Sequence, residues 1–122
     1  MQLMEQRDEG LFLVRAVAQD AVHVGDRKLT ASFLLAPDRC IEHFTARSYS
    51  DFDATVIDSV LALKPAIVLI GTGTHQQLAP GAVMAGFLAR GIGLEAMDSR
   101  AAARTYNLLA GEGRRVVAIF LL

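Results

Sequence analysis

The stretch that most constrains the fold is an apolar run that ends in a glycine-rich turn. Residues Ala66–Ile70 (AIVLI) are continuously apolar, and Gly71–Gln77 (GTGTHQQ) follow directly. Strands that are covered on both faces have this pattern, whereas a strand with one solvated face alternates apolar and polar residues. Pro80 suits the first turn of a helix, where its missing amide donor is not needed. The stretch therefore predicts a buried strand, a tight turn and a helix.

A helix is predicted on each side of this strand. In the helix before it, apolar side chains recur about one turn apart, Ser50 or Asp51 supplies the N-cap, and the helix ends near Pro65. The helix after the turn ends at Gly91, which suits a left-handed cap. The predicted buried face of this second helix consists of Val83, Phe87 and Leu88.

The remainder of the chain continues the alternation. Ile92–Ala96 is a predicted strand, and Asp98 or Ser99 is the predicted N-cap of a third helix, which ends in a glycine-containing segment. Val116–Leu122 is again apolar and predicts a last strand. The order of helices and strands from Asp51 onward indicates a three-layer α/β domain with a largely parallel sheet. The predicted inward stripe of the third helix consists of Ala101, Thr105, Leu108 and Leu109.

The N-terminal part of the chain has the pattern of a small antiparallel meander. Leu11–Val17, Ala21–Val24 and Lys28–Leu35 are each β-prone, and turn residues separate them. Cys40–Phe44 is a further short strand candidate. With 122 residues and no linker or repeat, the sequence predicts one domain over residues 1–122.

Composition excludes several classes of function. Twelve basic and thirteen acidic side chains give a formal net charge of -1, so the basic footprint of nucleic-acid or anionic-membrane binding is missing. The apolar runs fall short of the roughly 20 residues that span a bilayer, and the N-terminus resembles neither a signal nor a transit peptide. The single cysteine, Cys40, cannot form an internal disulfide and is interpreted as a small apolar filler. We expect a cytoplasmic protein without direct membrane insertion.

The turn after the apolar run is the candidate ligand site. Glycines allow backbone amides to converge, and amides at the start of a helix attract anions. The dinucleotide fingerprint is incomplete, because Gln76 occupies the position of its third glycine, and no phosphate loop is present. The alternative is a tight turn that needs glycine only for its backbone angles. The candidate residues are Gly71, Thr72, Gly73, Thr74, His75 and Gln76.

Polar residues of the following strand and helix extend this candidate site. In a parallel sheet, Glu95 ends its strand at the same edge as the turn, and Asp98 follows it. Arg104, Tyr106 and Asn107 lie on one polar stretch of the third helix. Arg100 precedes Arg104 by four residues, so the two arginines share one helix face and suit a phosphate or an acidic partner. The alternatives are an N-cap role for Asp98 and an ordinary solvated face for the arginines.

The motifs IVLIGTGTHQQLAP and RGIGLEAMDSRAAARTYNLLAGEGRRVVAIFLL resemble those of domain-of-unknown-function family 498. Eukaryotic members of this family include mitochondrial respiratory complex I assembly factor 3. The resemblance implies a three-layer α/β domain in which helices flank a mixed central β-sheet and the N-terminal strands form an additional small β-sheet. It also implies that the turn and the start of the third helix lie together at a pocket. The chain differs from the mitochondrial members in lacking a transit peptide, which indicates a bacterial-type homologue.

These observations lead to two hypotheses about function. The first is a non-catalytic binding or assembly protein that acts through a protein partner and is tuned by a small anion at the turn. The second is an enzyme, or a nucleotide- or phosphate-handling protein, that uses the turn with Glu95, Asp98 or Arg104. The first is favoured because the sequence contains no nucleophile–base set and no metal-ligand spacing, so no cofactor or metal is predicted. The oligomeric state and the identity of the partner are open.

Overall fold

The computed structural model describes residues 10–122, and within them the chain forms eight strands, three α-helices and one 3₁₀ turn. The strands are β1 (Val14–Val17), β2 (Val22–Val24), β3 (Arg27–Leu29), β4 (Phe33–Ala36), β5 (Arg39–Ile41), β6 (Ile67–Gly71), β7 (Gly93–Met97) and β8 (Val116–Phe120). The helices are α1 (Ala54–Leu61), α2 (Gly81–Leu88) and α3 (Ser99–Gly111), and the 3₁₀ turn covers Tyr49–Asp51.

The strands form two sheets. The central sheet has five strands in the order β5-β4-β8-β6-β7, in which β6 is parallel to both β7 and β8. Strands β4 and β5 are antiparallel to their neighbours, so the sheet is mixed. The second sheet is antiparallel, with the order β1-β2-β3. This architecture confirms the α/β fold with a mixed central sheet and a small N-terminal sheet.

The prediction of one strand over Lys28–Leu35 is wrong. Residues in this segment belong to β3 and β4, which lie in different sheets. The chain changes sheets at Ser32, a buried residue whose hydroxyl accepts from the Leu122 amide at 2.9 Å and lies 3.4 Å from the Leu122 carbonyl oxygen. Because β4 then pairs with the last strand, the central sheet gains an antiparallel half that a purely alternating helix–strand pattern does not predict.

The central sheet is covered on both faces. Along β8, Val116, Ala118 and Phe120 pack toward α3 and the small sheet, whereas Val117 and Ile119 pack with residues of α1 and α2. Since successive side chains of a strand point to opposite faces, a continuous apolar run is what such a strand needs. The three layers are therefore α1 with α2, the central sheet, and α3 with the small sheet.

Two details of the first two helices differ from the predictions. The N-cap of α1 is Asp53, whose carboxylate accepts from the Val56 amide at 2.9 Å, and not Ser50 or Asp51. Asp51 belongs to the preceding 3₁₀ turn, where its carboxylate accepts backbone amides. In α2, Val83 and Phe87 are buried as predicted, but Leu88 is 58% exposed because it follows Phe87 around the helix and lies outside the sheet-facing stripe.

The predicted inward stripe of α3 is displaced around the helix. The buried residues are Ala102, Ala103, Tyr106 and Ala110, together with Ser99 at the first position, whereas Leu108 is 61% exposed. Small alanines allow the helix to lie close to the sheet, and Tyr106 fills the remaining space while its hydroxyl donates to the Phe12 carbonyl at 2.7 Å. Tyr106 was grouped with the polar residues of this helix, and its full burial corrects that interpretation.

The buried phenol of Tyr106 predicts an alkaline limit to stability. Burial raises the pKa of Tyr106 above its ordinary value of about 10. In the unfolded chain the phenol ionises near pH 10, whereas in the folded protein it keeps its proton to a higher pH. The contribution of the neutral phenol to the free energy of unfolding is therefore complete below about pH 10 and is lost as the pH rises further. We expect the urea midpoint to fall above this pH, and to fall less steeply in Tyr106→Phe. At neutral pH, Tyr106→Phe should lower the free energy of unfolding by about 1 kcal/mol, because the hydrogen bond to Phe12 is lost.

Tyr49→Phe is the comparison, since the Tyr49 hydroxyl also donates to a carbonyl oxygen, that of Gln77, and burial raises the pKa of this phenol as well. Because Tyr49 is only half-buried, we expect its replacement to change the alkaline slope less. Equal alkaline slopes in the wild-type protein and in Tyr106→Phe would contradict the prediction.

Candidate functional site

The glycine-rich turn is tied to the start of α3 by its own backbone groups. The Thr72 amide donates to the Met97 carbonyl at 2.9 Å, and the Ser99 amide donates to the Gly73 carbonyl at 2.8 Å. The Gly73 amide donates to the Ser99 hydroxyl at 2.9 Å. The amides of Thr72 and Gly73 therefore have acceptors within the protein, and they are not free donors for an anion.

The side chains of the turn also bond within it. The Thr72 hydroxyl donates to the His75 carbonyl at 2.6 Å and accepts from the Gln77 amide at 3.1 Å. The Thr74 hydroxyl lies 3.0 Å from Nδ1 of His75. The Gln76 side chain donates to the Ala96 carbonyl at 2.9 Å, at the edge of the central sheet. These bonds hold the loop in one shape and direct its end toward β7.

Gly71 is required by packing. A Cβ atom at this position would lie 2.9 Å from the Phe120 ring and 3.1 Å from the Ser99 hydroxyl. Ser99 is itself buried, so neither neighbour has space to withdraw into solvent. The absence of a side chain at Gly71 thus allows β6, β8 and the start of α3 to approach one another closely.

We expect Gly71→Ala to destabilise the protein by about 1–3 kcal/mol, because the added methyl group overpacks this contact. The matched control is Gly111→Ala at the end of α3, where a Cβ atom meets nothing within 4 Å. That substitution lowers the entropy of the unfolded chain and should stabilise by about 0.4–1 kcal/mol. Urea denaturation measures both effects, and equal midpoints for the two variants would show that the contact is not tight.

Asp98 begins α3 as its N-cap, as predicted. Its carboxylate accepts from the Ala101 amide at 2.9 Å. The role of Ser99 as the link to Gly73 was missed by sequence reasoning, which considered Ser99 only as an alternative cap. The two residues are 26 positions apart, and no local spacing rule connects them.

A groove runs along the outer side of α3. Its first part is a cleft of about 200 Å³ between β1 and α3. This cleft is lined by Val14, Arg15, Ala16, Val17, Arg100, Ala103, Arg104 and Asn107. Its second part is a cleft of about 220 Å³ that reaches the glycine-rich turn, lined by Val17, Ala18, Gln19, Gly73, Thr74, Asp98 and Arg100. Because Val17 and Arg100 line both parts, we treat them as one feature, the β1–α3 groove.

The groove brings together five of the predicted site residues, which are Gly73, Thr74, Asp98, Arg104 and Asn107. Gln76 and Glu95 line a separate cleft of about 350 Å³ beside α2. Thr72 lines a hollow near Leu121 that adjoins the groove at Gly73 and Thr74. Gly71 is buried under the turn, and His75 is exposed. The contribution of β1 was missed, because nothing in the pattern of Leu11–Val17 indicates which neighbour that strand will have.

The first part of the groove is positively charged. It is lined by Arg15, Arg100 and Arg104 and by no acidic side chain. Arg100 and Arg104 are exposed and form no ion pair within residues 10–122, whereas other arginines, such as Arg90 and Arg115, do. In a chain with a net charge of -1, this is a local concentration of positive charge beside a concave surface, an arrangement that attracts anionic groups.

Asn107 connects the groove wall to the edge of the small sheet. The Val14 amide donates to Oδ1 of Asn107 at 2.9 Å, and Nδ2 of Asn107 donates to the Val14 carbonyl at 2.8 Å. One side-chain amide therefore satisfies both backbone groups of an edge-strand residue. This contact positions β1 next to the arginines of α3.

Replacing Asn107 should loosen β1 from α3. We expect Asn107→Ala to lower the free energy of unfolding by about 1–3 kcal/mol, because both Val14 groups lose their partner, and to speed hydrogen exchange of the Val14 amide. Gln76→Ala is the control, since it removes an exposed amide side chain that also bonds to a strand carbonyl and should cost less than about 0.5 kcal/mol. Unchanged exchange at Val14 would contradict the assignment.

Cys40 lies apart from this groove. It is half-buried against the core cluster that contains Tyr106, and burial raises the pKa of its thiol. A raised pKa lowers the fraction of nucleophilic thiolate at neutral pH. These properties agree with its interpretation as an apolar filler.

Comparison with known proteins identifies similar sequences and structures. Residues 14–121 match the model of a family described as "Protein of unknown function (DUF498/DUF598)". The solution structure of XCC1710 from Xanthomonas campestris is 45% identical with a TM-score of 0.83, over 90% of this chain and 83% of that one. A crystal structure of a protein from Bordetella parapertussis is 34% identical with a TM-score of 0.83, over 92% of this chain and 96% of that one.

A curated relative comes from Francisella tularensis subsp. holarctica (strain LVS), where it is named "13 kDa major membrane protein". It is 40% identical over 65 residues, and this match covers 53% of each protein. The chain thus spans about half the length of the curated relative it matches. In the part of the chain that the structure describes, no helix has both the length and the apolar character needed to cross a membrane.

Proposed function

We propose that the chain, which belongs to the DUF498/DUF598 family of proteins of unknown function, is a non-catalytic binding or assembly protein. In this proposal the β1–α3 groove holds an acidic group of a protein partner. The observation that carries this proposal is the presence of Arg100 and Arg104 on one wall of the groove, without ion-pair partners in residues 10–122.

The chemistry of this wall suits a carboxylate or phosphate. Residues four apart on a helix are neighbours on its surface, so the two guanidinium groups share one face. Each guanidinium offers a planar fork of donors that matches the two oxygens of a carboxylate. Arg100 lines both parts of the groove, so a small anion beside the partner would lie against its guanidinium and away from the Asp98 carboxylate, which lines the second part. The anion that tunes partner binding is thus proposed for the groove and not for the interior of the turn.

The enzyme hypothesis receives less support from the geometry. The Asp98 carboxylate already caps α3, and Glu95 lines a cleft other than the one that Arg104 lines. An acid–base mechanism needs its groups to converge on one reacting atom. Of the three residues named as alternatives, Asp98 and Arg104 line the β1–α3 groove, whereas Glu95 does not. A cytoplasmic location, and a role like that of complex I assembly factor 3, are parts of the proposal that rest on sequence and resemblance.

The proposal predicts that the groove binds acidic ligands through its two arginines. In an amide-resolved NMR titration, a short glutamate-rich peptide and inorganic phosphate should each produce saturable shifts at Gly73, Thr74 and residues around Arg100. We expect Arg100→Glu/Arg104→Glu to weaken binding by at least about tenfold, which corresponds to about 1.4 kcal/mol. Added salt should weaken it as well, because the charges are exposed.

The matched control is Arg47→Glu/Arg114→Glu, which changes the net charge equally. Both control arginines are exposed, form no ion pair within residues 10–122, and do not line the groove. Equal losses in the two double variants would reduce the effect to net charge. The absence of any saturable shift in the wild-type protein at millimolar ligand would refute the proposal.

A further inference from the structure

The outer edge of β1 borders the β1–α3 groove. In the sheet order β1-β2-β3, β1 is a terminal strand, and within residues 10–122 it pairs with a strand on one side only. The edge of a sheet presents backbone donors and acceptors that another strand can use. Val14 and Val17, at the two ends of β1, both line the first part of the groove.

The hydrogen bonds define which backbone groups face the groove. Val14 directs its amide and carbonyl toward Asn107, and therefore away from β2. Just beyond β1, the Ala18 amide donates to the Ala21 carbonyl at 2.8 Å, on the β2 side. Since backbone groups alternate between the two sides of a strand, Val17 directs its amide and carbonyl away from β2. Val14 and Val17 are three positions apart, so in a regular strand their backbone groups would face opposite sides. The irregular register between Val14 and Ala16 explains why both face away from β2.

Asn107 occupies part of this edge as a partner strand would. Its side chain carries the same amide chemistry as a peptide bond, and it both donates to and accepts from Val14 at ordinary hydrogen-bond distances. The edge is therefore already engaged by one amide at Val14. Within residues 10–122 no side chain bonds to Val17 in this way, and Val17 lies where the two parts of the groove meet.

The charges beside the edge specify the kind of segment that fits. Arg15, Arg100 and Arg104 line the first part of the groove, which has no acidic side chain to compensate them. Arg15 is partly engaged elsewhere, because its guanidinium donates to the Gly25 carbonyl at 3.1 Å and lies 3.9 Å from the Asp26 carboxylate, so the charge offered to a ligand is chiefly that of Arg100 and Arg104. Acidic side chains on an added strand would meet these arginines, whereas basic side chains would be repelled.

We propose that the β1–α3 groove binds an extended acidic segment of a partner protein, which pairs with β1 at Val17 and places carboxylates against Arg100 and Arg104. This inference rests on the proposed function and specifies how the partner binds. Main-chain hydrogen bonds supply part of the affinity in such strand addition, and alternate side chains supply specificity. The edge at β7 suits an acidic segment less, because the cleft beside it is lined by Glu95 and by no basic side chain.

The test uses the wild-type protein and three capped peptides of alternating glutamate and valine. One peptide is unmodified, and the other two carry N-methyl groups on alternate amides, in the odd or in the even positions. All three have the same charge, but in a paired strand only one set of amides faces β1. We expect one methylated peptide to bind about fivefold more weakly than the unmodified one, since it loses the hydrogen bond to the Val17 carbonyl, which is worth about 1 kcal/mol, and the other to retain most of its affinity. Hydrogen exchange of the Val17 amide should slow on binding of the unmodified peptide.

The outcomes separate this inference from the proposed function. Equal affinities of the three peptides, with the arginine dependence retained, would overturn strand addition and leave a groove that binds acidic groups by charge alone. NMR chemical-shift changes centred on β7 would overturn the inference in favour of that edge. Chemical-shift changes in the groove that depend on protein concentration in the absence of peptide would overturn it in favour of a second copy of the chain. If neither the peptides nor phosphate produces saturable groove shifts, both the inference and the proposed function fail.

Discussion

Helix α3 holds the small N-terminal sheet against the central sheet. Its buried face of alanines lies on β6 and β8, and the cluster that it forms includes residues of both sheets, such as Val22, Val24 and Leu69. Tyr106 extends across this cluster and bonds to the Phe12 carbonyl, while Asn107 bonds to both backbone groups of Val14. Short strands gain stability when they pack against a helix, and α3 supplies that packing for the small sheet.

The candidate site is a direct consequence of the same packing. The face of α3 opposite the sheet carries Arg104, and the helix begins at the glycine-rich turn through the bonds between Gly73 and Ser99. A groove results because β1 runs beside the exposed flank of the helix without covering it. The buried alanines and the exposed arginines are thus two sides of one element, and a change in the docking of α3 would alter the groove.

The glycine-rich turn illustrates the limit of pattern recognition. Its glycines suggested converging amides, yet Gly71 serves close packing and the Gly73 amide bonds to Ser99. A glycine that permits a positive φ angle, as at Gly73, and a glycine that makes room for a ring, as at Gly71, look alike in a sequence. The features that point to a ligand, Arg100 and Arg104, were identified from their spacing, but their concave surroundings come from β1.

Local physical chemistry determined much of this fold in advance. The apolar runs of β6 and β8, the cap at Asp98 and the left-handed Gly91 follow from strand burial, capping and backbone angles, which depend on a few neighbouring residues. Tertiary structure alone decided that Lys28–Leu35 is divided between two sheets, which face of α3 is buried, and that β1 borders the arginines. Those outcomes depend on contacts between residues far apart in the chain, such as Ser32 with Leu122 and Val14 with Asn107, whose geometry no local pattern contains.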